Sequence, residues 1–62
     1  MKSYIIKNEQ FSTYYKGSEF DFTNDIEYAV LFDSYEECLD ELNIIINEYT
    51  GYSYFTILEV FV

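Results

Sequence analysis

The chain has 62 residues and a formal net charge of −9, from twelve acids against three lysines, with no arginine and no histidine. A chain of this length makes one domain, residues 1–62, near the lower limit for independent folding. A single cysteine excludes an intrachain disulfide and a cysteine zinc site, and the missing histidines exclude a Ser/His/Asp set.

All three lysines lie in the first sixteen residues, and Gly17 to Val62 carries eleven of the twelve acids and no base. Such a surface repels nucleic acid and anionic membrane and attracts basic protein surfaces. Ile, Asn, Tyr and Phe are abundant, as an AT-rich coding sequence would give, yet lysine, with equally AT-rich codons, is scarce. The acidity therefore reads as a requirement on the protein. The opening MKSYIIKNEQ turns polar after two apolar residues, unlike a signal peptide. No run reaches the ~20 apolar residues of a membrane span. The expected location is cytoplasmic, with no direct nucleic-acid binding and no membrane binding.

Tyr4-Ile5-Ile6-Lys7 is a predicted first strand, and Asn8-Glu9-Gln10 a polar turn. Phe11 to Lys16 alternates Phe11, Thr13 and Tyr15 against Ser12, Tyr14 and Lys16, the pattern of a half-buried second strand. Gly17-Ser18 ends this hairpin. Phe20 and Phe22 are expected to pin the next connection to the core. Asn24 and Glu27 could cap a short helical turn, but Val30-Leu31-Phe32 favours a third strand over Glu27–Phe32.

Tyr35 to Tyr49 is the predicted helix. Ser34 with Glu37 makes a capping box. Tyr35, Cys38, Leu39, Leu42, Ile45, Ile46 and Tyr49 fall within an arc of roughly 120° at 3.6 residues per turn, and Gly51 follows as a stop. Leu39, Leu42 and Ile46 are expected to pack on the sheet. Tyr52 to Val62 is the predicted last strand, with Tyr54, Thr56, Leu58, Val60 and Val62 on one face and Phe55, Ile57, Glu59 and Phe61 on the other. The order β-β-β-α-β gives an α+β fold: a small antiparallel sheet with one amphipathic helix packed across it. One helix covers one face, and a chain of this length leaves nothing for the other. A homodimer, through sheet faces or edge strands, is the expected remedy.

Tyr4-x-Ile6-Lys7, Tyr14-Tyr15-x-Gly17, Phe22-Thr23-x-Asp25 and Ala29-x-x-Phe32-x-Ser34-x-Glu36-Glu37 together resemble small uncharacterised proteins encoded by phages and prophages of low-GC Gram-positive bacteria. The resemblance covers about two-thirds of the chain and carries no residue-level function. It implies a host bacterium's cytoplasm and a genomic context in which short accessory proteins counter host defences.

No catalytic constellation is present, so the expectation is a protein that is not an enzyme, with no cofactor. Asp21 with Asp25 and Asp33 with Glu36 lack EF-hand spacing and a loop glycine, so no metal site is assigned. The remaining signal is the polar face of the helix. Glu36 and Glu37 suit the dipole at the helix start. Asp40, Glu41 and Glu48 have no such reason, and Glu36–Asp40 and Glu37–Glu41 are like-charge pairs with no lysine near in sequence. Glu37, Asp40, Glu41, Ile44 and Glu48 are the candidate partner-binding residues, carboxylates for steering and Ile44 as an apolar anchor. The leading expectation is an inhibitor that blocks a basic, nucleic-acid-binding surface of a host defence protein. The alternatives are a phage structural or assembly module with a solubilising acidic surface, or a small ligand-sequestering dimer.

Overall fold

A computed structural model describes residues 1–17, 21–48 and 54–62. Strands β1 (Lys2–Asn8), β2 (Thr13–Tyr15), β3 (Phe22–Thr23) and β4 (Phe55–Phe61) form one antiparallel sheet in the order β3-β2-β1-β4, with helix α1 (Tyr35–Glu48) between β3 and β4 in sequence. The α+β architecture of one helix on an antiparallel sheet is therefore present. The expected end signals at Tyr49 and Gly51, and Phe20, lie outside the described residues.

β1 and β4 pair along their whole length, from Lys2 opposite Phe61 to Asn8 opposite Phe55. β1 pairs with β2 only at Lys7–Tyr14 and Asn8–Thr13. The hairpin turn is set by Asn8, whose side-chain oxygen accepts from the N–H groups of Gln10 and Phe11, a local turn that asparagine favours. The second strand is shorter than the alternation from Phe11 suggests, because Phe11 and Ser12 belong to this turn and Ser12 has φ of 54°.

The third strand is displaced from its expected place. It is Phe22–Thr23, and Glu27–Phe32 is not a strand. Asp25 ends its extended run and caps a 3-10 turn over Ile26–Tyr28, its carboxylate accepting from Glu27 N–H at 3.0 Å, as a good N-cap does. Beyond it the chain fills the wedge where β1 and β2 splay. Val30 N–H donates to the Tyr15 carbonyl, and Phe32 exchanges backbone hydrogen bonds with Tyr4 across a single bridge. Val30 packs close to the following turn: a Cβ on Gly17 would lie 3.1 Å from the Val30 Cβ, and Gly17 has φ of 96°, so this position suits glycine alone.

Side chains alternate across the sheet. Tyr4, Ile6, Tyr15, Phe22, Phe55 and Ile57 meet the helix, where Ile6, Tyr15, Cys38, Leu42 and Ile45 form the buried core. Tyr4 stands edge-on to Tyr35 at 5.9 Å, and Phe22 lies between Tyr15 and Phe55. On the other face Ile5 is 1 % exposed. That face is not bare, contrary to expectation. Ile26, Glu27, Ala29 and Leu31 cross it and, with Ile5, Val60 and Val62, line an open apolar groove of about 230 Å³.

The helix is rotated from the position its apolar stripe predicts. Cys38, Leu42 and Ile45 are buried, whereas Leu39 is 36 % and Ile46 49 % exposed, so neither is a core residue. The buried row is one edge of the stripe, displaced toward Glu41. Tyr15 holds that side: its hydroxyl donates to the Glu41 carboxylate at 2.5 Å, tying the helix to β2. The opposite side, with Tyr35, Leu39 and Ile46, is left exposed.

Candidate functional site: the acidic flank of the helix

Ser34 starts the helix, its hydroxyl accepting from Glu37 N–H at 3.2 Å. The return bond of a full capping box, from Ser34 N–H to the Glu37 carboxylate, is not made among the described residues. Glu37 and Glu41, with Ile44 and Glu48, then recur at steps of four, three and four residues, which places them in one row along the helix. The row spans about 16 Å at 1.5 Å per residue. Asp40 lies beside it, one helical turn from both Glu37 and Ile44. All five residues assigned from the sequence are thus brought together on one flank of α1.

They are not equivalent. Glu37, Asp40 and Glu48 are exposed, and Ile44 is 51 % exposed among them. Glu41 is half-buried and held by Tyr15. A hydroxyl donating to a carboxylate is a short, charge-assisted bond. Glu41 therefore positions the helix, and its charge is already partly satisfied. No sequence spacing joins Tyr15 to Glu41, twenty-six residues apart, so only the fold discloses this role.

The electrostatics follow from where the lysines go. Lys2 pairs with Glu59 at 3.7 Å, Lys7 with Glu9 at 3.5 Å and Lys16 with Asp21 at 3.9 Å. Among the described residues no ion pair reaches the helix. Its five acids, Glu36, Glu37, Asp40, Glu41 and Glu48, stand without a cation, and the last turn carries no basic residue. Two of them sit favourably in the first turn, Glu41 is held by Tyr15, and Asp40 and Glu48 keep a field directed to solvent.

Other chemistry is sparse. Cys38 is buried, and desolvation pushes its thiol up from 9.0 to about 11, so it is a protonated core residue at neutral pH. Asp21 is paired with Lys16 and Asp25 caps the 3-10 turn. No group of three or more acids or cysteines among the described residues is arranged to hold a metal ion. The back-face groove offers an apolar wall with one carboxylate, Glu27. Sequence reasoning missed it, although the shared parity of Ile5 with Val60 and Val62 across β1 and β4 is the signal that places them on one face. No helix is long and apolar enough to cross a membrane among the described residues. Comparison of the chain with protein families, with curated proteins and with solved structures returns no match.

Proposed function

We propose that this protein is a non-enzymatic interaction protein that docks the acidic flank of its helix on a basic surface of a partner protein and occludes it. The observation that carries the reading is the distribution of cations: all three lysines are engaged away from the helix, leaving its five acids without a cation, three of them in the row of about 16 Å from Glu37 to Glu48. Like charges so arranged destabilise an isolated helix by roughly 0.2–0.5 kcal/mol for each close pair, and a cationic partner would relieve that repulsion. The partner surface would be one that otherwise binds nucleic acid, with carboxylates taking the place of phosphates. The resemblance to phage proteins supports a host defence protein as that partner. Glu37, Asp40 and Glu48 supply the field, and Ile44 supplies the apolar contact that slows dissociation.

The test is capture of a host protein on immobilised wild-type and variant chains, followed across salt concentration. Glu37→Lys with Asp40→Lys should remain folded, with a cooperative melt, and lose the partner that the wild type binds at low salt. Glu41 is left unchanged in this variant because removing it would strip Tyr15 of its acceptor. Equal capture by wild type and variant, or capture indifferent to salt, would overturn the docking role and leave the acids as a solubility device.

A further inference from the structure

The sheet order ends at β4, and among the described residues no strand lies beyond its outer side. Backbone hydrogen bonds fix which groups face that side. Val62 N–H donates to the Met1 carbonyl, the Met1 ammonium to the Val62 carbonyl, and Glu9 N–H to the Tyr54 carbonyl. In an antiparallel ladder this parity continues, so even-numbered residues of β4 bond inward to β1. Ile57, Glu59 and Phe61 therefore direct their N–H and C=O groups outward. A long strand edge with this composition, free of proline and of lysine, is a template for another strand.

A second observation points the same way. Opposite Glu41, which Tyr15 of β2 holds, α1 carries Leu39 and Ile46, each at least a third exposed, while Glu37, Glu41 and Glu48 lie on the flank over β2. Phe61 and Val62 add further exposed apolar surface at the end of the strand. Charge then selects the occupant. In a chain of net charge −9, two copies repel wherever their acids meet. The β4 edge holds a single acid, Glu59, which Lys2 accompanies. Two copies meeting there each bring one carboxylate with a lysine beside it.

We propose that two copies of this chain join their β4 strands antiparallel about a two-fold axis at Leu58, giving a continuous eight-stranded sheet. Leu58 is the midpoint of Phe55–Phe61, so this register centres the strand on the axis. It sets Ile57 opposite the partner's Glu59 and keeps the two Glu59 residues from facing each other directly. The outward groups of Ile57 and Glu59 then exchange four ladder bonds across the axis. Both helices lie on the same side of the joined sheet. With strands about 4.8 Å apart, and each helix over its own β1–β4 pair, the axes come about 10 Å apart, a packing distance for helices. Leu39 of one copy approaches the partner's Ile46, and the reverse. On the back face the partner's Tyr54 falls opposite Val62, at the mouth of the groove lined by Ile5, Ala29 and Leu31. The groove wall is completed only in the dimer. Both acidic flanks remain outermost, and the inference stands whether or not they dock a partner.

The register makes a sharp test. At the axis Leu58 faces the partner's Leu58 in a non-hydrogen-bonded pair, with Cα atoms about 4.5 Å apart, within disulfide reach. In a Cys38→Ala background, Leu58→Cys should cross-link to a covalent dimer under mild oxidation by diamide, and Thr56→Cys, which faces the partner's Val60, should not. Wild-type protein should sediment at twice the chain mass. Leu39→Glu with Ile46→Glu should raise the dimer dissociation constant at least tenfold while helical circular dichroism is unchanged. A wild-type monomer at all micromolar concentrations would overturn the proposal. So would cross-linking of Thr56→Cys as readily as Leu58→Cys, or a dimer indifferent to the Leu39 and Ile46 changes.

Discussion

The two flanks of α1 are made of the same fourteen residues and do opposite things. The flank over β2 carries Glu37, Glu41, Ile44 and Glu48, and the opposite flank carries Tyr35, Leu39 and Ile46. Between them runs the buried row Cys38, Leu42 and Ile45. A helix is sorted by its period into core and surface, but the period does not say how far it is rolled. Here one hydrogen bond, Tyr15 to Glu41, accompanies a roll that tucks an acidic edge against the sheet and leaves an apolar edge uncovered. The difference separates a charged surface suited to a foreign cationic partner from an apolar one suited to a copy of the same chain.

The largest effects should come from the row that both flanks share. Leu42→Ala should destabilise the fold by about 2–5 kcal/mol, the range for a buried leucine truncation. Leu39→Ala, on the exposed flank, should cost far less. Chemical denaturation of the two variants measures the contrast, and equal losses would mean that the roll described here is wrong.

Breaking the roll itself is the next perturbation. Tyr15→Phe removes the donor to Glu41 and should cost on the order of 1.5–3 kcal/mol, the scale for a hydrogen bond to a charged group. Urea midpoints of Tyr15→Phe, Glu41→Gln and the double variant would report the coupling. If the double variant lost the sum of the two single losses, Glu41 would belong with the free acids and not with the core.

Cys38 gives a pH test of the same row. Its thiol is raised by burial from 9.0 to about 11. A group whose folded value is raised favours the folded state while protonated, so its contribution is present below pH 9 and declines as pH rises toward 11. Wild type should lose stability over that interval relative to Cys38→Ala, whose curve lacks this term. Alkylation of the native thiol should be slow at pH 8 and fast in denaturant. The smallest effect is expected at Ile44, where Ile44→Ala should shift stability by no more than about 0.5 kcal/mol, as for an ordinary surface change. A larger loss would assign Ile44 to the core.

Much of this was legible in the sequence. Ser34, the apolar recurrence from Tyr35 and the β-rich ends located α1, β1 and β4 to within a few residues, because each rests on local chemistry. The set of five flank residues was legible as well, since helical spacing alone groups them. The roll was not, because it depends on Tyr15, which has no sequence tie to Glu41. Glu27–Phe32 misled for a related reason. Val30, Leu31 and Phe32 have strand composition, but Asp25 caps a 3-10 turn before them and the gap between β1 and β2 admits only a single bridge. β3, with two residues, is too short to leave a pattern.

The pairing of β1 with β4 has a kinetic consequence. Lys2 meets Phe61 and Ser3 meets Val60, so the longest pairing of the sheet joins segments far apart in sequence. The hairpin of β1 and β2 and the helix can each form from neighbours in sequence, yet neither completes the core, since Phe55 and Ile57 arrive last. Closing so wide a loop loses chain entropy before contacts compensate. Folding should therefore be slow for a chain of this size, with a barrier set by the docking of the final strand. Until that strand docks, Ile5 and Ile6 lack their partners and the outer side of β1 stays exposed as a nascent edge. A truncation removing residues 55–62 should leave a collapsed, dye-binding species without cooperative unfolding, a population for proteases to clear.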